Sequence, residues 1–454
     1  MRALLISLAV LIPCYWQPHI QAGDLASHMY NIWLAQLIEA GKAPGLYLAI
    51  IKTNVLFDYL SAALVSLTGF TWGERLSVSV VVLTFFWGSW AWLKSLTKTS
   101  PWPITPLIAI LAYGWVFQIG FINFYWSMGL CMWWMGLLAS EERWQRHSSW
   151  LVLPLAIAAH MLPVAWAGAL WAHGQFLRKV DSKHKKVLLL ASVIMIAAIS
   201  ISIRIIYPTY WSPEQVLGML GIDQVLLKTP WYVIVSMGLL AIIVLGLLWA
   251  MPSLSLQGPL TQFLILSSIG VLLVPWVIQL PVFASPLSFI TQRMSLSVAV
   301  LSCGIPLLGA KPRAVFCLSL VLATTYFILL YNDTSKLVEF ETALYKAVRT
   351  LPPGVRVIAP YDREPPRGFG YGHIVDRACI GHCYSYANYE PATKQFRVRV
   401  SGPNQIVAEE NSVSLSLQTL NYTVRPAEAP IYYFRWLHEE HRFELRVMQA
   451  GDTF

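Results

Sequence analysis

Apolar runs of about 18 to 22 residues recur along this chain, and each is long enough to cross a bilayer as a helix. No other feature limits the fold as strongly. In lipid every backbone N–H and C=O needs a partner within the protein, so only helices and closed barrels can span. Runs of this length specify helices. Of 454 residues, 56% are hydrophobic and 12% charged, which suits an α-helical polytopic membrane protein and not a soluble domain. Full spans are expected near 3–20, 76–93, 103–120, 122–139, 187–206, 230–251, 259–280, 289–309 and 313–331.

The net charge of +9 invites a nucleic-acid partner, but the cations gather in "LKSLTKTSP", "EERWQRH", "FLRKVDSKHKK" and "KPR". Lys and Arg in short loops mark the cytoplasmic side of a membrane protein. The chain carries no glycine-rich phosphate loop, zinc-finger spacing or GxSxG elbow. Arg2 followed by "ALLISLAVLI" has the outline of a signal peptide, with "IQA" before Gly23 as a poor cleavage site. A retained first span fits better with a chain that is membrane-embedded throughout. On either account the N-terminal loop beyond residue 21 lies outside the cytoplasm.

Residues 150–173 are apolar, yet both flanks are basic. A single span would leave one basic flank outside. The middle, "AAHMLPVAW", contains Pro163, which interrupts a helix. Two half-helices, 150–159 and 163–173, are therefore expected to form a hairpin with His160 at its tip. An ionisable group at that depth is costly unless it faces a cavity or the bundle interior, so His160 is a candidate substrate contact. Residues 42–70 are also apolar but hold Lys52, Asn54 and Asp58. They read as interfacial helices of the first outer loop, 21–75.

Composition changes after Tyr331. An amphipathic helix, a Pro-Pro-Gly turn and alternating segments at "QFRVRVSG", "SVSLSLQTL" and "IYYFRW" predict an outer soluble domain at 332–454, α/β or mixed. Asn332 and Asn421 open formal glycosylation sequons. Cys14, Cys131, Cys303 and Cys317 fall in or near spans and read as small core residues. Cys379 and Cys383 lie in the outer tail, where three states are open: a short disulfide, free thiols, or a metal site with His373 and His382.

The segment "QAGDLASHMYNIWLAQLIEAG" at 21–41 raises the functional question. Asp24 can be an N-cap, and Gly41 a C-terminal stop, for a helix whose apolar face includes Leu25, Met29 and Ile32. That leaves His28 unexplained. It shares a face with Asp24, and a carboxylate beside a His at the mouth of a bundle is a sensible general base.

One span, then Asp24, His28 and a helix ending in Gly41, followed by Arg75 in "GERLSVSVVV", resembles the GT-C class of membrane glycosyltransferases. "GFINFYWSMGL" at 120–130 and "SFITQRMSL" at 288–296 are similar to segments of bacterial members. The resemblance implies a GT-C-like bundle over 1–331, with about nine spans and a hairpin. It implies transfer of a sugar from a polyprenyl-phosphate donor at the outer face of a bacterial plasma membrane, in cell-envelope synthesis. Asp24 and His28 would be catalytic, and Arg293, His160 and Arg75 would bind substrate. The position after Asp24 is Leu25 where the family often has a second acid, so no metal and no other cofactor is expected. The expected partners are membrane lipids and the lipid-linked donor, with the sugar and acceptor left open. Two other readings stand beside it: a transporter or flippase of a lipid-linked substrate, though no internal repeat is found, and a non-catalytic scaffold with an outer binding domain.

Overall fold

The computed structural model describes residues 1–227, 229–281, 284–359, 373–437 and 439–454. Val282 and Phe283, between the expected spans 259–280 and 289–309, lie outside the described residues. The helical part begins with α1 (Arg2–Tyr15), α2 (Leu25–Glu39), β1 (Leu46–Leu48) and α3 (Leu56–Thr97). It continues through α4 (Thr105–Ala112), the single turn α5 (Trp115–Gln118), α6 (Ile122–Leu138), α7 (Arg143–Ala159), α8 (Met161–Lys179) and α9 (Lys185–Ile206). Then come β2 (Thr209–Tyr210), α10 (Gln215–Gly218), α11 (Trp231–Ala250), α12 (Pro259–Leu273), β3 (Val277–Ile278), α13 (Ile290–Cys303) and α14 (Pro312–Val348). The remainder is β4 (Arg356–Ile358), α15 (Ile374–Cys379), β5 (Tyr384–Ser385), α16 (Glu390–Thr393), β6 (Val398–Val400), α17 (Asn411–Gln418), β7 (Ile431–Leu437) and β8 (Arg442–Met448).

Among the described residues, five helices are long and apolar enough to cross a membrane: α3, α9, α11, α13 with its following turn, and α14. Almost nothing of α9 is buried. It presents Leu190, Ile194, Met195 and Ile199 outward, a surface that water would drive to aggregate and lipid accommodates. The protein is accordingly a helical membrane protein. Lipid tails are as apolar as Leu, so its helices associate through close packing. A Cβ added to Gly88 of α3 would meet the Gly129 carbonyl oxygen of α6 at 2.4 Å, and one on Gly129 would meet the Phe85 Cα at 2.6 Å.

Several expected spans are shorter or broken. The run at 103–120 stops at Ala112 and resumes only as α5. The run at 259–280 ends at Leu273 because Val274 precedes Pro275; its ψ of 140° is the extended value a following proline imposes. β3 then pairs with β2 antiparallel, Thr209 opposite Ile278.

The hairpin forms. His160 alone is extended, with φ −168° and ψ 134°, and separates α7 from α8. Both halves lie along α6 in opposite directions. Ser127 Oγ donates to the carbonyls of Ala156 (2.9 Å) and His160 (2.7 Å). Farther along α6, the Trp134 ring lies 6.0 Å from Trp150 of α7 and 6.1 Å from Trp171 of α8. Thr53 Oγ1 donates to Ile157 O at 2.7 Å and Val55 N to Ala158 O at 3.2 Å. The carbonyls left open at the end of α7 are thus taken up by the first loop.

Three expectations need correction. Residues 42–70 are not all interfacial helix. β1 pairs antiparallel with β6, Leu46 opposite Val400, and α3 begins at Leu56 and kinks at Gly69 (φ 79°). Polar Lys52 and Asn54 fall in the connection between them. The boundary at 331/332 falls inside α14, whose apolar first half and amphipathic second half are one helix. "SVSLSLQTL" is helical, not a strand. Val413 and Leu417 are buried while Leu415 is 56% exposed; an i, i+4 pair fits both periods, and burial selects the helical one.

The C-terminal sheet is mixed, in order β5-β4-β7-β8, with β4 parallel to both neighbours and β7–β8 antiparallel. Its core merges with the first loop: Tyr30 and Leu34 of α2 pack with Val357, Cys379 and Val398.

Candidate active site

Asp24 is placed by backbone pairing. Gly23 N donates to Gln118 O at 2.9 Å and Asp24 N to Ile119 O at 3.1 Å. Gly120 (φ 87°) makes this approach possible, since a Cβ there would stand 2.1 Å from Asp24 N. Asp24 itself is helical (φ −69°, ψ −7°), and its side chain makes no capping bond. The carboxylate is therefore not spent on capping α2. Gly41, at φ 70°, ends that helix as expected.

His28 does not pair with Asp24. Its Nδ1 donates to Asp58 Oδ1 at 3.0 Å, and its charge reaches Asp24 only through space. The histidine against Asp24 is His373, whose Nε2 stands 3.6 Å from Asp24 Oδ1. His373 Nδ1 donates to Asp376 Oδ2 at 2.8 Å. Ser385 Oγ donates to the other Asp376 oxygen, and Ser385 N donates to Tyr30 Oη at 2.9 Å. A chain of polar contacts thus runs from α2, through the C-terminal domain, to the Asp24 carboxylate. The Asp24 side chain remains 27% exposed against 11% for His373, so the carboxylate is the open end.

Burial alone would lower the His373 pKa. The hydrogen bond and charge of Asp376, with the charges of Asp24 and Glu390, outweigh it and raise His373 to about 9. The same opposition, with Asp58 as the main partner, raises His28 to about 9. Both are imidazolium ions at neutral pH. Glu390, which accepts from Ser27 Oγ at 2.9 Å, is pushed up to about 7, chiefly by burial.

Arg293 faces this cluster from α13. Its guanidinium stacks 3.6 Å from the centroid of Phe121, just beyond Gly120. Its Nε is buried without a hydrogen-bond partner, and it makes no ion pair within contact distance among the described residues. Asp24 and Tyr389 lie within electrostatic range of it. A half-buried cation of this kind is an anion site in waiting. His160 also lies in range of Arg293; its ring meets Phe124 edge-on at 5.4 Å, and its Nδ1 accepts from Leu162 N at 3.1 Å, capping α8. Arg75 is held elsewhere. It donates to the carbonyls of Gln17 (3.0 Å) and Pro18 (3.2 Å) and lies over Tyr15 and Trp72, the contacts of an anchor, and no contact joins it to Asp24.

Beside the site, Arg377 Nη1 contacts Glu341 Oε1 at 2.8 Å, its Nε lies 3.3 Å from Glu74 Oε2, and its Nη2 donates to Ile20 O at 3.0 Å. This buried network locks α3, α14 and the C-terminal domain around residues 20–24. The tail cysteines are bonded to each other, Cys379 to Cys383, which resolves the three open states. The bridge closes the end of α15, the helix that carries Asp376 and Arg377. His382 donates to Leu351 O at 3.0 Å. The described residues hold no group of three His, Cys, Asp or Glu side chains placed to bind a metal ion.

From the sequence, Asp58, Asp376 and Glu390 were not assigned to the site, and His373 was considered only as a possible metal ligand beside the tail cysteines. His373 and Asp376 did carry a signal, since their i, i+3 spacing pairs them on one turn. Nothing local in the sequence ties that turn to Asp24. Comparison of the chain with family models, with characterised proteins and with solved structures gives no match.

Proposed function

We propose that this protein is a membrane glycosyltransferase that moves a sugar from a polyprenyl-phosphate carrier to an acceptor at the outer face of a bacterial plasma membrane. One observation carries the reading: an open carboxylate, Asp24, braced by the His373 imidazolium, shares a site with Arg293, a half-buried cation that has no contact ion pair among the described residues. Lysines and arginines at the ends of α3, α7, α8 and α9 belong on the cytoplasmic side. The Asp24 site and the C-terminal domain are then extracytoplasmic and the N-terminus cytoplasmic, with about nine membrane passages besides the hairpin.

In this reading Arg293 holds the donor phosphate. A narrow apolar groove of about 330 Å³ between α8, α9, α12 and α13 has Leu162, Trp166, Ile290 and Met294 among its walls. It suits the first isoprene units of the carrier. The acceptor O–H or N–H attacks the anomeric carbon. The bond from that carbon to the phosphate oxygen breaks, and the carrier phosphate leaves with the electron pair, already ionised and steadied by Arg293. Positive charge develops at the anomeric centre, as in glycoside cleavage. Asp24 takes the acceptor's proton, and the His373–Asp376 pair orients its carboxylate.

The test is transfer of radiolabelled sugar from synthetic polyprenyl-phosphate sugars to membrane extracts by purified protein in vesicles. Transfer from at least one donor that stops on Asp24→Asn supports the reading. Carrier movement across the vesicle without sugar release would replace it with transport.

A further inference from the structure

We propose that a cavity at the end of the bundle opposite Asp24 binds the phosphodiester headgroup of an anionic glycerophospholipid. The cavity encloses about 550 Å³. Lys98, Arg146, Arg178 and Lys185, from four different helix ends, line it, and Glu141 is the one carboxylate among its lining residues. None of the four cations is ion-paired to a carboxylate within contact distance among the described residues. The Arg146 guanidinium donates to the backbone carbonyls of Ser140 and Glu141.

Cations that merely anchor loops snorkel outward, each to its own patch of headgroups. Here they converge on one concavity. Its floor is apolar, with Trp92 and Phe263 buried beneath the charged rim. A site for a free anion gains nothing from such a floor. An amphiphile uses both parts: the phosphate meets the cations, and the glycerol and first acyl carbons cover the rings. Basic pockets between membrane helices recognise anionic lipid in this way. The inference does not depend on the transferase reading.

Native mass spectrometry of the full-length protein, delipidated in mild detergent, tests it. The protein is titrated with phosphatidylglycerol, with phosphatidylcholine of the same chains, and with glycerol 3-phosphate. Phosphatidylglycerol is expected to bind in preference to phosphatidylcholine. Arg178→Gln and Lys98→Gln each lower that preference about fivefold, and Lys183→Gln, an exposed cation outside the cavity, leaves it unchanged. Arg178 and Lys98 are themselves exposed, so the fold does not rest on them. Equal binding of the two lipids, or unchanged preference in both variants, overturns the proposal. Binding of glycerol 3-phosphate as tight as that of the lipid also overturns it, leaving a free-anion pocket.

Discussion

His373 Nε2 stands 3.6 Å from Asp24 Oδ1, which joins the C-terminal domain to the first loop across nearly the whole chain. The distance is that of an ion pair and not of a tight hydrogen bond. Asp24 therefore stays able to turn toward a substrate while a histidine ring faces it.

This pairing predicts a pH dependence. His373 has its pKa raised to about 9 from an ordinary value near 6.5. A raised pKa means the proton is bound more tightly in the folded site. The contribution is complete below about pH 6.5 and is lost as pH rises through about 9. Transfer rate is expected to fall along that alkaline limb. His373→Gln should lower the rate about 10- to 100-fold at pH 7, a fraction of the general-base range, and should abolish the limb while leaving the donor KM unchanged. A wild-type limb retained in the variant would assign it to another group.

Arg377 lies between Glu74 and Glu341, all three buried. Arg377→Met removes the cation and strands two carboxylates, which typically costs about 3–5 kcal/mol. Thermal unfolding of the variant should show that loss, with part of it recovered on adding Glu74→Gln and Glu341→Gln. A variant as stable as the wild type would mean that the network does not hold the C-terminal domain in place.

The helical membrane class and the hairpin were legible because each follows from local pattern, whereas the short spacing of Cys379 and Cys383 left a disulfide as one of three states that the structure decides. The hairpin came from two basic flanks around an apolar run, with a helix breaker near its centre. Asp24 was legible as an acid outside the first span, and Arg293 as a cation at a span end. The partner of Asp24 was not legible. His28 is its neighbour on one helix face, yet Asp58 from α3 captures that ring, and His373 arrives by long-range packing of α2 against α15. The α17 segment fits two periods at once, so only the tertiary environment decides it.

Arg293→Lys keeps the charge but loses the planar fork that stacks on Phe121 and that, in the proposed function, would grip two phosphate oxygens. Donor KM is expected to rise about 10-fold, roughly the loss of one charge-assisted hydrogen bond. Unchanged donor KM would make Arg293 a structural residue.

The hairpin returns α8 to the end of the bundle where α7 begins, and the proposed topology puts Ser148 and Ser182 on one side of the membrane, the cytoplasmic one. With Ser148→Cys and Ser182→Cys in otherwise functional protein, both should react with an impermeant thiol reagent only after the cytoplasmic side is opened. Labelling of one from outside would make 150–173 a plain span and reverse the side assigned to every later loop.

In the proposed reaction the Asp24 carboxylate accepts the acceptor's proton. Because its side chain makes no capping bond, Asp24→Asn keeps the helix start and the shape of the site while it removes the base and the charge that faces His373. The decisive measurement is the single-turnover rate of sugar transfer by Asp24→Asn against wild type, at matched protein and saturating donor. A fall of about 10²–10⁴-fold, with unchanged melting temperature, is predicted. A rate within a few-fold of wild type would contradict the account.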